Sequence, residues 1–318
     1  MSKTTNRIIT ALFSVFIGGF FLLNLLLPDK DFSEKENRQL QTLPKFSFSS
    51  LFSGSFATRF ESYCSDQFAG RDTWIETKAG AELAQGKRQN NGVFLCDGGR
   101  LIEPFDAPEE DVLARAVQAA DLLTDTGVPV SLALIPTTAQ LYADILPDGA
   151  PNDDQQAVIN SAYAQTALET IDLSSTLTAH SSEYIFYRTD HHWTSLGAYY
   201  AYTAFCESAG LKAEPLSKFE SGEYTGFLGS LYSAIKAYPQ SQALADNPDT
   251  VQFWRPFVDL DTKWYPDAEF SMEYFGGTLC KVDDTSNKYL TFLGGDHPIT
   301  VIKTNVDGPV CMILKESY

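Results

Sequence analysis

Residues 8–27 read IITALFSVFIGGFFLLNLLL and contain no charged side chain. A helix crossing a hydrocarbon core about 30 Å thick needs about 20 such residues. This stretch therefore decides where the rest of the chain folds. Lys3 and Arg7 precede it, and by the positive-inside rule they hold the short N-terminus in the cytoplasm and send everything after Pro28 across the membrane. The run is longer than the apolar core of a usual cleaved signal peptide, and the LLLPDKDF around its end offers no small-residue cleavage site. The expectation is an uncleaved signal anchor, single-pass in the cell membrane, with an extracytoplasmic body. A cleaved signal is the competing reading.

The body is acidic: 41 Asp and Glu against 23 Lys and Arg give the 318-residue chain a formal net charge of -18. It has no basic run, so nucleic acid is not an expected partner, because phosphate binding requires clustered cations. Its five cysteines, Cys64, Cys96, Cys206, Cys280 and Cys311, are scattered and include no C-x-x-C. Neither a zinc knuckle nor a redox motif is indicated, and no metal or cofactor is expected.

Three regions follow from the pattern. Residues 1–28 are the cytoplasmic stub and anchor. Residues 29–88 form a Ser-rich stalk and a helical segment, with DQFAGRD (66–72) as a salt-bridged turn. Residues 89–318 form the main domain. It starts with a hairpin, GVFLC (92–96) and RLIEP (100–104), around Asp97-Gly98-Gly99. A helix over 108–124 should bury Val112, Ala116, Ala119, Ala120 and Leu123. The apolar VPVSLALIP (128–136) reads as a strand buried on both faces. Then come a helix over 153–170, a strand at 184–187 and a helix over 196–209 ended by Gly210. Residues 218–295, rich in aromatics, Gly and Pro, read as an insertion or meander, after which strands resume at 299–304 and 310–317. This rhythm predicts an α/β fold with a mostly parallel sheet flanked by helices. The chain stops at Tyr318, directly after an apolar strand, and the C-terminal part of the domain is expected to be missing.

The densest chemistry is Tyr187-Arg188-Thr189-Asp190-His191-His192-Trp193-Thr194, between the predicted strand and helix. Open α/β sheets place their sites at such strand ends. Asp190 and His192, two residues apart in extended chain, project to one side. The carboxylate can then fix the imidazole tautomer and leave His192 as a general base. His191 points the other way, toward packing or capping. Tyr187, Arg188 and Trp193 flank the pair and are expected at the substrate. Ser is common, so the nucleophile is open on residues alone, although Ser317 stands out by closing the last strand. Gly294 and Gly295 in FLGGDHP allow a turn with exposed N–H groups for an oxyanion, with Asp296 or His297 at the same pocket. Adjacent histidines rarely chelate one ion from the same strand, which disfavours a metal site.

TDHHWT, with the upstream segments ENRQLQTLP, DQFAGRD and NNGVFL, resembles the DHHW protein family. That family is related to the SGNH-hydrolase-like alginate O-acetyltransferase (AlgX/AlgJ-type) proteins. The resemblance runs from about Glu36 to the C-terminus. It implies an SGNH-hydrolase-like fold and a Ser-His-Asp triad in which Asp190 orients, His192 is the base and Ser317, in Lys315-Glu316-Ser317-Tyr318, is the nucleophile. It also implies acetyl transfer to an exported or cell-wall polysaccharide, with a membrane-bound O-acyltransferase as acetyl supplier. A carbohydrate esterase with the same triad and an inactive glycan-binding scaffold are the alternatives. Two features depart from the family pattern. GGDHP carries Asp296 where GGNHP is expected, and the chain ends one residue after Ser317, where family members continue.

Overall fold

A computed structural model describes residues 3–33, 38–236, 241–283, 285 and 287–316, apart from the side chains of Arg38 and Leu83. The chain divides into two compact units, residues 1–87 with 236–239, and residues 88–235 with 240–318.

In the first unit, all of the apolar run but Leu27 lies within one continuous helix, α1 (Lys3–Leu26), none of whose residues is buried. A two-residue antiparallel ladder follows, β1 (Phe32–Ser33) with β2 (Arg38–Gln39). Three helices complete the unit: α2 (Phe48–Phe52), α3 (Ser55–Asp66) and α4 (Arg71–Ala84). Ser47 caps α2 in a reciprocal capping box with Ser50. Arg71 lies 3.9 Å from Asp66 and 3.7 Å from Asp72, the ion-paired turn expected of DQFAGRD.

The second unit opens with an antiparallel sheet of β3 (Gln89–Asn90), β4 (Val93–Cys96) and β5 (Arg100–Ile102). Gly98 and Gly99, at φ 74° and 71°, make its expected turn. Helix α5 (Glu110–Asp121) runs on through a 3₁₀ turn to Gly127, and β6 (Ser131–Ala133) follows. Next are α6 (Thr138–Leu141), α7 (Gln155–Gln165), β7 (Glu169–Ile171), α8 (Leu173–Ala179) and α9 (Ser195–Ser208). The remainder comprises β8 (Glu220–Phe227), α10 (Ser230–Ile235), α11 (Ser241–Ala245), β9 (Asp249–Arg255), β10 (Leu260–Tyr265), β11 (Tyr274–Gly276) and β12 (Ile299–Thr304).

The expected mostly parallel sheet is not observed. Among the described residues the one parallel pairing is β6 with β7; β8–β9 and β11–β10–β12 are antiparallel. Two anticipated parallel strands do not form ladders. Residues 184–187 contribute a single bridge, Phe186 to Trp193, and residues 309–315 have no regular structure. The strand expected to be buried on both faces shrinks to Ser131–Ala133, whose three residues are exposed or half-buried. A strand with one ladder partner lacks the neighbours that would cover it. The α5 face is also turned by one residue: Val117 is buried and Val112 is exposed. An Ala-rich helix specifies its inward face weakly, because alanines contribute little burial energy in either direction.

The core that positions the site is local. Tyr187, Phe227 and Val251 form a buried cluster joined by Tyr289 and Phe292. Beside it Leu177, Ile185 and Phe186 pack with Trp193 and Tyr200. Each large side chain buried this way contributes about 2–3 kcal/mol.

Candidate active site

The segment Tyr187–His192 is a loop whose two ends are tied together. The Phe186–Trp193 bridge closes its base; Tyr187 N–H donates to the His192 carbonyl at 3.3 Å, and Thr194 N–H to the Ile185 carbonyl at 2.8 Å. Thr194 then caps α9, its Oγ1 accepting from Gly197 N–H while its hydroxyl donates to the Tyr184 carbonyl. Gly197 is needed here because a Cβ would stand 2.5 Å from the Ile185 carbonyl oxygen.

Within the loop, Asp190 Oδ1 lies 2.5 Å from His192 Nδ1 and also accepts the His192 amide at 2.9 Å. Asp190 Oδ2 accepts the Ser230 amide at 2.7 Å, at the start of α10. Both side chains are buried. Burial pushes the Asp190 carboxyl upward, but the bonds from the His192 ring and from the Ser230 and His192 amides outweigh it and hold the group down at about 2. Asp190 is thus a buried, ionised acceptor, and the ring it faces is oriented through Nδ1. The Tyr289 ring stacks on His192 at 4.3 Å with planes 17° apart. His191 Nδ1 lies 2.7 Å from Ser230 Oγ; burial and the neighbouring His192 lower its pKa.

A second carboxylate holds the loop from beneath. Asp249, fully buried at the start of β9, accepts from the Thr189 amide at 2.8 Å, the Thr189 hydroxyl at 2.6 Å, Arg188 Nε at 3.1 Å and the Tyr184 hydroxyl. Arg188 also reaches the carbonyls of Asn247 and Pro248. From the opposite side Arg100 donates to the Tyr187 carbonyl at 2.9 Å.

The structure brings Asp190 and His192 together as expected. Three further expectations land elsewhere. Tyr187 is completely buried against Phe227, so its ring is core and does not face a substrate. Arg188 is committed to Asp249 and to backbone carbonyls, and Trp193 packs on the Leu177–Ile185–Phe186 core. Ser317 lies outside the described residues. Gly294 and Gly295 form the anticipated turn at φ 78° and 128°. The Asp296 carboxylate is 3.5 Å from Lys315 Nζ, and the His297 ring stacks on Trp264 at 4.4 Å. Burial, and after it the charges of Asp190, Asp296 and Glu316, raise the Tyr289 hydroxyl pKa. Asp190, His191 and His192 keep their ligand atoms within 4.8 Å of one another. However, the Nδ1 atoms of the two rings already face Asp190 and Ser230, which suits proton handling better than chelation.

Sequence reading missed Asp249, Tyr289, Arg100 and the Gly229-Ser230 pair. All reach the loop from distant segments, and no local spacing marks them. The pairing of Asp249 with Arg188 spans sixty-one positions.

A DHHW family protein from Eubacterium siraeum is 29% identical, with a TM-score of 0.58 over 68% of this chain and 72% of that one. Bacillus cereus PatB1, 16% identical, shares the fold at a TM-score of 0.51 over 67% of this chain and 75% of that one. A probable alginate O-acetylase AlgJ of Pseudomonas syringae pv. tomato is 27% identical in an alignment of 234 positions that covers 67% of this chain and 60% of that protein. The chain thus spans about 60% of the length of that relative. The sequence profile of the DHHW proteins matches residues 120–318, which include the acid–imidazole loop, and the chain belongs to the DHHW protein family.

Proposed function

We propose that this protein is a membrane-anchored, extracytoplasmic O-acetyltransferase acting on an exported or cell-wall polysaccharide. The observation that carries the reading is the buried Asp190–His192 pair, 2.5 Å apart with the carboxylate held ionised. The likeness to a probable alginate O-acetylase supports the acetyl group and the polysaccharide class. In this mechanism Ser317 Oγ attacks the acyl carbonyl and its proton passes to His192 Nε2. Asp190, accepting from Nδ1–H, stabilises the imidazolium. The Gly294 amide of the turn receives the oxyanion, the Gly295 amide being given to the Phe292 carbonyl at 3.3 Å, and collapse expels the donor's leaving group with the imidazolium proton. A sugar hydroxyl then gives its proton to His192 and attacks the acyl-serine, releasing acetylated sugar and restoring Ser317.

Lys315 beside Asp296 offsets the negative charge that would oppose an oxyanion at the turn. Helix α1 supplies the anchor, with its N-terminus inside, and a membrane-bound O-acyltransferase supplies acetyl from the cytoplasmic side.

The test is acetyl transfer to oligosaccharides measured against acetate release from an aryl acetate. Transfer that disappears in both Ser317→Ala and His192→Ala supports the reading. Acetate release without transfer makes the protein a carbohydrate esterase with the same triad. Cell-surface acetylation unchanged in both variants makes it a glycan-binding scaffold.

A further inference from the structure

The first unit exposes several large aromatic side chains. Helices α2 and α3 bury no residue. Phe46, Phe48 and Phe52 are exposed, Phe52 at 85%, and Phe60, Phe68 and Trp74 continue the surface. The rings run as a ladder: Phe46 to Phe48 at 5.6 Å, Phe46 to Phe56 at 5.4 Å, and Phe56 to Phe60 at 5.8 Å. Short helices in water are marginal without an apolar face to bury, and a contiguous exposed apolar surface marks something that covers it.

What covers it follows from where α1 holds it. The Phe68 ring stacks on Phe20 of α1 at 5.5 Å, with planes 3° apart, and Trp74 lies 5.8 Å from the same ring. Asn24 donates to the Phe20 carbonyl and accepts the Ala69 amide at 2.8 Å, so a polar side chain inside the apolar run is satisfied by the chain beside Phe68. Polar groups at membrane depth need such partners. Phe20 precedes the α1 terminus at Leu26 by six residues, about 9 Å of helix rise. The C-terminal end of α3, which leads into Phe68, is fixed just beyond the apolar run: Tyr63 donates to Asp29, and Gln67 exchanges hydrogen bonds with the Lys30 backbone. Any medium that surrounds Phe20 therefore also meets Phe68 and Trp74, and α3 ends at the level where α1 emerges.

We infer that this aromatic face is a lipid-binding surface. Phe68 and Trp74 sit in the outer acyl–headgroup boundary beside α1, and α2 and α3 lie along the interface with Phe48 and Phe52 turned into it. Trp favours that layer, and helices lying in it bury a face of Trp, Phe and Leu about 5–10 Å deep. The inference rests on the reading of α1 as an inserted anchor.

The experiment uses the full chain in phosphatidylcholine vesicles, with and without brominated acyl chains. Carbonate extraction reports α1 insertion independently. Trp74 is one of four tryptophans, so its share of emission is read as the difference between the wild type and Trp74→Phe. The expected result is carbonate-resistant protein whose Trp74 emission is lost in brominated vesicles, with the quenched component absent in Trp74→Phe. Adding Phe52→Trp to Trp74→Phe should restore quenching. Carbonate-resistant protein with unquenched Trp74, or with an unquenched residue at 52, overturns the lipid surface and leaves the anchor standing. Trp74 shielded from aqueous iodide yet insensitive to bromine assigns the face to a protein partner and also overturns it. Extraction by carbonate overturns the anchor, and the lipid surface with it.

Discussion

Gly229 stands so close to Asp190 that a Cβ added at position 229 would lie 2.3 Å from the Asp190 carboxylate oxygen. The absent side chain is what lets the Ser230 amide reach Oδ2 at 2.7 Å. Gly229→Ala should therefore displace the carboxylate without removing it. Misplacing a catalytic group by about 1 Å costs on the order of 100-fold, and that is the expected fall in acetyl transfer. Circular dichroism should stay near wild type. Unchanged kcat/KM with a folded variant would mean Asp190 does not orient the base.

Replacing the carboxylate itself is expected to cost more. Asp190→Asn keeps the size but loses the charge that fixes Nδ1–H, and the equivalent change in a Ser-His-Asp site lowers kcat by about 10⁴. Steady-state transfer by Asp190→Asn should approach that of His192→Ala. A loss below tenfold would count against the pair as a catalytic unit.

Asp190 also makes stability depend on pH. Its folded pKa, about 2, lies below the ordinary 3.8. The unfolded chain therefore binds the proton more readily, and the contribution is full above about pH 5 and is lost as the pH falls through 4 toward 2. At about 1.4 kcal/mol per unit this amounts to roughly 2 kcal/mol. Urea unfolding of wild type and Asp190→Asn at pH 6 and pH 3 should show a smaller decline in the variant. Parallel declines would refute the assignment.

Asp249 should matter as much to folding as to activity. It is buried and accepts from Tyr184, Arg188 and Thr189, so Asp249→Ala leaves several donors without their acceptor. Removing one partner of a buried charged network costs about 3–5 kcal/mol. Thermal unfolding should shift sharply downward, and transfer should fall in whatever fraction remains folded.

The ring of Tyr289 is expected to matter more than its hydroxyl. The stack on His192 needs only the aromatic face, so Tyr289→Phe should keep transfer within about threefold, while Tyr289→Ala, which frees the imidazole, should lose on the order of tenfold. Equal losses in both variants would assign the role to the hydroxyl instead.

The acid–base pair was legible in the sequence because its two members are two residues apart, and spacing alone can place them. So were the α1 run and the hairpin around Gly98-Gly99. What failed was long-range. VPVSLALIP looks like a central strand, but burial on both faces depends on neighbours the local pattern does not encode, and β6 has one ladder partner. Tyr187 sits within the chemical motif yet points into the core, because the bridge at Phe186 fixes which side chains face inward. Asp249, Gly229 and Tyr289 reach the loop from positions tens of residues away, and no periodicity signals them.

The bridge between Phe186 and Trp193 has a mechanical consequence. It cinches one short loop that carries both proton-handling groups, so the two move as a single body. Breathing of β8 or β9 can change how that body meets a third group, whereas α10, whose Ser230 amide holds Asp190 Oδ2, acts on the pair itself. Substitutions that loosen β8 or β9 should therefore degrade the encounter with the nucleophile, and a graft of the loop with its clasp should keep its internal geometry in a foreign scaffold.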